Sequence, residues 1–267
     1  MKIITTATLK GGTGKTMNTF NIGGVLAETK RVLLIDIDPQ CNLSSNCGIN
    51  VANRDIPTIK EIFDNPPKEQ PAPSKLIYKN PIEELPNLDI IPSSILLFRT
   101  ERNMANKTNR EHILDYYLKT HREFFEANYD YILIDTNPSM SITNINAYYI
   151  ADEIILCSDV SINAINGAEL FCALWDEIRD ELHKEDNISA LIISNYEKST
   201  IMAKDLYEYA EGASFSADLL IKTTIPHTVQ MKDTEVEHAT INVIHPKSEA
   251  LKSYRAVLEE LAEREVI

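Results

Sequence analysis

The feature that most constrains this chain is a glycine-rich loop, Lys10-Gly11-Gly12-Thr13-Gly14-Lys15-Thr16, which follows an apolar β-branched stretch and precedes a helical pattern. Glycines allow successive backbone N–H groups to turn inward around phosphate oxygens, and the start of the following helix adds partial positive charge. We expect Lys15 to reach the β- and γ-phosphates and the Thr16 hydroxyl to bind Mg²⁺. The alternative is a glycine-rich turn without a ligand.

Apolar runs alternate with helical patterns along the 267 residues, which predicts βα units. The fold class expected is α/β, with a mostly parallel twisted sheet flanked by helices on both faces, the doubly wound fold of P-loop NTPases. One P-loop ATPase domain over residues 1–267 is expected, with the proline-rich segment 65–86 as a surface excursion. The predicted strands are 3–7, 32–35, 88–91, 131–134, 153–157, 190–193 and 219–225, and the predicted helices are 18–28, 111–125, 168–182, 203–211 and 248–263.

Acidic residues follow two of the predicted strands directly. Strand 32–35 delivers Asp36 and Asp38, and strand 131–134 delivers Asp135. Carboxyl ends of parallel strands meet at the edge of the sheet where ligands bind. A carboxylate at that edge can hold Mg²⁺ through water or orient an attacking water molecule, although each aspartate alone has the alternative role of a strand-end cap.

The loop departs from the ordinary phosphate-loop pattern, because Leu9 stands where a glycine is usual and Lys10 opens the motif. Lys-Gly-Gly-x-Gly-Lys-Thr resembles the deviant Walker A motif of the ParA/MinD group of ATPases. The similarity to ParA/Soj-type partition proteins extends over nearly the whole chain. It implies that Lys10 crosses to the nucleotide of a partner subunit, so that a homodimer encloses two ATP molecules. An additional cation near the growing charge of the transition state lowers the barrier to hydrolysis.

The same resemblance assigns Asp38, Asp135, Asp36 and Pro226, whereas Asn195 is suggested by its amide, which can both donate and accept hydrogen bonds. Asp38 matches the water-positioning aspartate, Asp135 matches the Walker B aspartate near Mg²⁺, and Asp36 is a supporting residue. Pro226 would border the adenine pocket, and Asn195 is either a hydrogen-bond partner of the base edge or a turn asparagine. The expected catalytic residues are Lys10, Lys15 and Asp38; the expected metal ligands are Thr16, Asp38 and Asp135; and the expected ATP-binding residues are Lys10, Gly11, Gly12, Thr13, Gly14, Lys15, Thr16, Met17, Asn195 and Pro226.

Two residues depart from the family's pattern near the switch regions. Cys41 stands where glycine is usual in an Asp-Pro-Gln-Gly-Asn stretch, and Asn137 replaces the first proline of an Asp-x-Pro-Pro-Ser stretch. These exchanges bear on the hydrolysis rate more than on nucleotide binding. They leave open a second hypothesis, a nucleotide-dependent regulatory switch for plasmid replication or conjugation with little turnover.

Charge limits where DNA can bind. A net charge of −14 excludes a surface that is basic all over, so any DNA contact is local. Members of the family bind nonspecific DNA through its phosphates, but two family arginines are His227 and Gln230 here. The candidates that remain are Lys222, Lys232, Lys247, Lys252 and Arg255, each of which has a solvated side chain as its alternative role. A further basic excess over 99–122 is interpreted as a solvated helix face.

The function hypothesis is an ATP-dependent DNA partition ATPase. ATP and Mg²⁺ would close the homodimer, the closed dimer would bind nonspecific DNA, and a ParB-like centromere-binding partner would stimulate hydrolysis. The chain shows no long apolar run and no leader pattern at its start, so a cytoplasmic, nucleoid-associated protein is expected, without membrane binding. A MinD-like membrane-cycling ATPase is the other rival, which the acidic segment 258–267 disfavours. The four cysteines lack metal-ligand spacing and an iron–sulfur surrounding, so reduced thiols are expected.

Overall fold

A computed structural model describes residues 1–53 and 55–267, and within them seven strands form one sheet. The strand order is β3-β4-β2-β5-β1-β6-β7, in which all neighbours pair in parallel except the antiparallel edge pair β3 and β4. This sheet confirms the predicted α/β class. The strands are β1 (Lys2–Ala7), β2 (Val32–Asp36), β3 (Tyr78–Lys79), β4 (Leu88–Ile91), β5 (Tyr131–Asp135), β6 (Glu153–Asp159) and β7 (Ile188–Ser194).

Helices cover both faces of the sheet, which explains why the central strands are continuous apolar runs. All five residues of β2 are buried, as are all but the first residue of β5. Two short 3₁₀ segments, Pro67–Glu69 and Arg110–His112, accompany the α-helices. The helices are α1 (Lys15–Leu26), α2 (Asn42–Asn46), α3 (Lys60–Asp64), α4 (Pro73–Leu76), α5 (Leu97–Met104), α6 (Ile113–Thr120), α7 (Arg122–Asn128), α8 (Ile142–Ile150), α9 (Ile162–Glu181), α10 (Ile201–Gly212), α11 (Val229–Val236), α12 (Ile241–Ile244) and α13 (Glu249–Glu263).

Two predicted elements are wrong, and one short strand was not predicted. Segment 219–225 runs beside β7 but makes only isolated bridges, because the backbone N–H groups of Lys222 and Thr223 donate to the Glu260 carboxylate, each at 2.8 Å, instead of to a strand. The predicted helix 111–125 is divided at His121 into α6 and α7. Segment 65–86 contains the edge strand β3, whose two residues are too few to leave a periodic signal.

Helix α1 lies in the middle of the molecule and carries the phosphate loop at its N-terminus. A Cβ on Gly23 would come within 2.7 Å of Leu34 on β2, and one on Gly24 within 2.5 Å of Thr240, so glycine is required where the helix meets its neighbours. The C-terminal helix α13 covers the same face of the sheet, and its buried Tyr254 donates a hydrogen bond to Asn18 on α1 at 3.0 Å. The sheet and α13 together fix the loop in place.

Candidate functional site

The glycine-rich loop lies at the carboxyl end of β1, the central strand, and α1 begins at Lys15 directly after it. Gly12 and Gly14 have φ values of +81° and +88°, a conformation that side chains rarely adopt. A Cβ on Gly14 would also lie 2.9 Å from Cβ of Ser194 at the end of β7. No side chain caps the N-terminus of α1. The first N–H groups of this helix are therefore free to bind an anion.

Lys15 and Thr16 face the neighbouring strand ends. Lys15 is 7% exposed, and its positive charge opposes the rise in pKa that burial causes in Asp38 and Asp135. The Thr16 hydroxyl donates to Asp135 Oδ2 at 2.7 Å. The structure thus brings together the lysine, the hydroxyl and both carboxylates that the sequence predicted for one site.

All three aspartates are buried, at or just beyond the ends of the adjacent strands β2 and β5. Asp36 and Asp135 are register partners on β2 and β5, and burial raises the pKa of each carboxyl group. Asp36 accepts hydrogen bonds from the Ser44 backbone N–H at 2.9 Å and the Ser44 hydroxyl at 2.6 Å. It therefore anchors the turn into α2, as a supporting residue would.

Asp38 is 6% exposed and accepts a hydrogen bond from the backbone N–H of Gln40 at 2.8 Å. Burial raises its pKa, and the Gln40 N–H and Lys15 oppose that shift. The side chain of Asp38 lines the cleft above the phosphate loop, while Asp36 does not. Of Asp36 and Asp38, only Asp38 can therefore meet a ligand directly.

A cleft of about 940 Å³ opens in front of the loop. Its walls include Gly11 to Met17 of the loop, and also Asn195 and Pro226. Asn195 has φ of +55° and donates to the Gly12 carbonyl at 3.3 Å. A bridge between Tyr196 and Pro226 brings these two segments to the same wall.

Sequence reasoning missed one wall of the cleft, formed by helix α11. Met231, Lys232 and Glu235 of this helix line the cleft, and the Thr234 hydroxyl contacts the Met17 sulfur at 3.3 Å. The helix is short and mostly polar, and no periodic apolar signal marks it. Its position depends on packing against α2 and α12 rather than on local sequence.

Asp135 is fully buried and does not line the cleft, and neither does Lys10. The Lys10 ammonium group lies 2.9 Å from Asp159 Oδ2 and 2.7 Å from the Ser161 hydroxyl, at the end of β6 and the cap of α9. The Lys10 side chain is 34% exposed. It therefore lies at the rim, paired within the chain.

The basic residues proposed for DNA occupy different surroundings. Lys252 is paired with Glu249 at 2.6 Å and Arg255 with Glu28 at 2.9 Å, Lys232 lines the cleft, and Lys247 is exposed. Lys222 instead shares a surface groove of about 650 Å³, named here the lysine groove, with Tyr196, Lys198, Lys204, Tyr207, Thr223, Thr224 and Ser253. Within the described chain the three lysines of the groove have no ion-pair partner.

All the lysines and arginines of segment 99–122 except Arg110 are exposed. Three of these cations form ion pairs: Arg110 with Glu111, Lys119 with Asp115 and Arg122 with Glu126.

All four cysteines are free thiols, and three of them, Cys41, Cys47 and Cys157, are buried. Over residues 1–53 and 55–267 there is no group of three or more His, Cys, Asp or Glu side chains that could hold a metal ion. None of the helices in these two ranges is both long and apolar enough to span a bilayer.

Known proteins resemble this chain in both sequence and fold. The family model described as "AAA domain" matches residues 1–189. An uncharacterized protein of Mycobacterium tuberculosis is 31% identical over 98% of this chain and 79% of its own length. The sporulation initiation inhibitor protein Soj of Bacillus subtilis is 29% identical over 98% of both chains. A solved structure of a putative plasmid partition protein from Borrelia burgdorferi bound to AMPPNP superimposes with a TM-score of 0.77 and 27% identity, covering 98% of this chain and 99% of that one.

Proposed function

Because this chain belongs to the AAA-domain family and is a P-loop ATPase of the ParA/Soj type, we propose that it hydrolyses ATP to partition DNA. The observation that carries the proposal is the convergence of a lysine-first phosphate loop with Lys15, Thr16, Asp38 and Asp135 at one edge of the sheet. The whole chain, residues 1–267, serves as a single ATPase domain, since α13 packs on α1 and completes the same core.

The residues present fit ATP with Mg²⁺. Two glycines at positive φ and an uncapped helix N-terminus suit phosphate oxygens, and the related Borrelia protein was solved with AMPPNP bound. The donor set suits a metal that is held mainly by phosphates and water, with a hydroxyl and one or two carboxylates, as Mg²⁺ usually is. Thr16, Asp38 and Asp135 are its expected ligands, and bound Mg²⁺ would neutralise charge on the β- and γ-phosphates.

Each polar residue then has a distinct role in hydrolysis. Lys15 neutralises phosphate charge, Asp38 orients the attacking water, and Asp135 holds Thr16 in place. Asn195 and Pro226 contact the base from the far wall of the cleft. Lys10 stabilises charge on the nucleotide of a second copy of the chain.

The dimer places the carboxyl edges of the two sheets face to face. Lys10 points away from its own cleft. Exposed apolar side chains follow the strands at this edge of the sheet, where a second copy would cover them. They are Ile95 and Phe98 after β4, Ile162 after β6, and Ile201 and Met202 after β7. ATP binding closes the dimer and hydrolysis opens it.

DNA binds through its phosphates at the lysine groove. Lys198, Lys204 and Lys222 present unpaired positive charge on a chain of net charge −14, beside the rings of Tyr196 and Tyr207. A dimer presents two such grooves on one body, which raises apparent affinity without new contacts. A protein of this kind concentrates on the nucleoid. A ParB-like centromere-binding partner resets it by stimulating hydrolysis, in keeping with the partition proteins among its relatives.

A DNA shift assay with ADP, ATP and a slowly hydrolysed ATP analogue tests the proposal. We expect binding with ATP or the analogue and little with ADP, and no nucleotide effect in Lys15→Ala. The triple change Lys198→Ala, Lys204→Ala, Lys222→Ala removes the shift, whereas a matched triple alanine variant at the exposed Lys30, Lys68 and Lys75 retains it. If both triple variants lose DNA binding equally, the lysine groove is not the DNA site. If wild-type protein binds DNA equally with ADP and ATP, the proposed nucleotide-dependent cycle is wrong.

The rate of ATP hydrolysis with and without DNA separates this motor from a regulatory switch. A rate that DNA and a partner protein leave near zero would favour the switch.

A further inference from the structure

The loop between β5 and α8, residues 136–141, passes the phosphate site and is held by one buried side chain. Pro138 of this loop lines the nucleotide cleft, and the loop follows Asp135 directly. The side-chain amide of Asn144, in the first turn of α8, lies behind it and is fully buried. The Asn144 Nδ2 group is 2.9 Å from the Asn137 carbonyl and 2.7 Å from the Ser139 carbonyl, the two residues that flank Pro138.

The side chain of Asn137 also takes part in the contact between Asn144 and the loop. Asn137 Oδ1 also accepts from Asn144 Nδ2, at 2.9 Å, and accepts from the Ser139 hydroxyl. Asn137 is the residue that stands where the resembling family has proline. The side chain at that position therefore has a partner in this chain, and the pair of asparagines takes over a restraint that a proline ring would supply through its fixed φ.

The Nδ2 and Oδ1 atoms of the Asn144 side chain differ in how fully they are hydrogen-bonded. The Asn144 amide group has two hydrogens but three oxygens within 2.9 Å, while its own Oδ1 is buried without a partner. The reversed amide orientation would point Oδ1 at three acceptor oxygens, which is worse. The hydrogen bonds that the Asn144 side-chain amide donates therefore go to the loop. The amide is not needed to cap α8, whose N-terminus is already capped by the Ser141 hydroxyl.

We propose that Asn144 is a positioning residue for ATP hydrolysis: with Asn137 it clamps the backbone on either side of Pro138 so that the loop after Asp135 keeps the geometry needed around the γ-phosphate. The inference rests on the ATPase function proposed above. Asn144 does not line the cleft, so it acts through the loop and not by contact with nucleotide.

Asn146 supplies a matched control on the same helix. It is equally buried, and its amide is equally engaged: Nδ2 donates to the Arg110 and Ile142 carbonyls at 2.7 and 2.8 Å, and Oδ1 accepts from the Leu114 N–H at 3.0 Å. All of these contacts lead away from the phosphate site. Loss of a buried asparagine is thus comparable in both positions, and only Asn144 touches the loop.

The test measures kcat and KM for ATP together with amide hydrogen exchange in Asn144→Ala, Asn144→Leu and Asn146→Ala. We expect the Asn144 variants to lose about 10- to 100-fold in kcat with KM nearly unchanged, because a small misplacement of a catalytic loop has effects of that size. Amides of residues 136–141 should exchange faster in these variants only. Asn146→Ala should keep the wild-type kcat even if it melts earlier.

A merely structural role predicts equal behaviour of the two asparagines, and that result overturns the proposal. Should the Asn144 variants fail to fold, Asn137→Ala decides, because this partly exposed side chain can be removed without emptying the core; unchanged kcat there also overturns it. Wild-type protein that hydrolyses ATP no faster than Lys15→Ala would instead reject the proposed function itself.

Discussion

The ion pair between Lys10 and Asp159 should restrain the lysine that the proposed dimer needs. The ammonium group contacts both carboxylate oxygens, at 2.9 and 3.2 Å, and the Ser161 hydroxyl at 2.7 Å. To reach the nucleotide of a second copy, Lys10 must leave these partners. Asp159→Ala removes the carboxylate, so we expect this variant to dimerise more tightly than the wild-type chain.

The size of the effect follows from exposure. The side chains are 34% and 20% exposed, so solvent screens the pair and its contribution is about 1 kcal/mol. Two lysines are released in each dimer, which makes the change about 2 kcal/mol, or roughly 30-fold in the dimer dissociation constant. Sedimentation velocity with Mg²⁺ and a slowly hydrolysed ATP analogue measures this constant without turnover.

Asp176→Ala is the matched control for charge. It removes one carboxylate and one ion pair, with Arg179 at 2.7 Å, from the C-terminal part of α9, far along the helix from the Ser161 cap that Lys10 contacts. Because both variants lower the net negative charge equally, reduced repulsion between copies affects them alike. If Asp159→Ala dimerises no more tightly than Asp176→Ala, the pair does not restrain Lys10 and the reasoning fails.

Three further changes probe the framework of the site. Tyr254→Phe leaves the buried Asn18 Oδ1 without its donor, so the free energy of unfolding should fall by about 1–3 kcal/mol, and an unchanged denaturant midpoint would contradict the hydrogen bond. Gly14→Ala places a Cβ at a residue with φ of +88° and within 2.9 Å of Ser194. The free energy of unfolding, measured by thermal melting, should fall by about 2 kcal/mol, and nucleotide titration should show that ATP binding is lost. Cys41 has φ of +58°, so Cys41→Gly should be more stable than Cys41→Ala by about 1 kcal/mol, and the opposite order in denaturant unfolding would show that the backbone there is unstrained.

Elements with strong local signals could be predicted closely. Strand β4 has the predicted bounds, and β1, β2 and β5 differ by one residue at an end. Helix α1 begins three residues before its apolar pattern, inside the phosphate loop, because Lys15 and Thr16 are polar and give no apolar signal there. Segment 219–225 was predicted wrongly because its apolar residues carry no sign that Glu260, far along the chain, accepts hydrogen bonds from its backbone N–H groups.

The residues of the candidate site also differ in how well the sequence predicts them. The phosphate loop and the aspartates after β2 and β5 could be found from the sequence, since each depends on a residue type at a fixed distance from a strand end. The groove of Lys198, Lys204 and Lys222 could not, because three separate segments supply its lysines. Two cations considered from the sequence, Lys252 and Arg255, are paired with acidic neighbours in the structure.

The alternation of strands and helices and the phosphate loop are legible in the sequence, because hydrophobic period and glycine conformation act over a few residues. Tertiary structure alone decided which side chains meet across long separations. Lys10 lies beside Asp159, Asn18 beside Tyr254, and Asn144 behind the loop that follows β5. Such contacts depend on the direction of each side chain after the sheet has formed, and no local pattern records that direction.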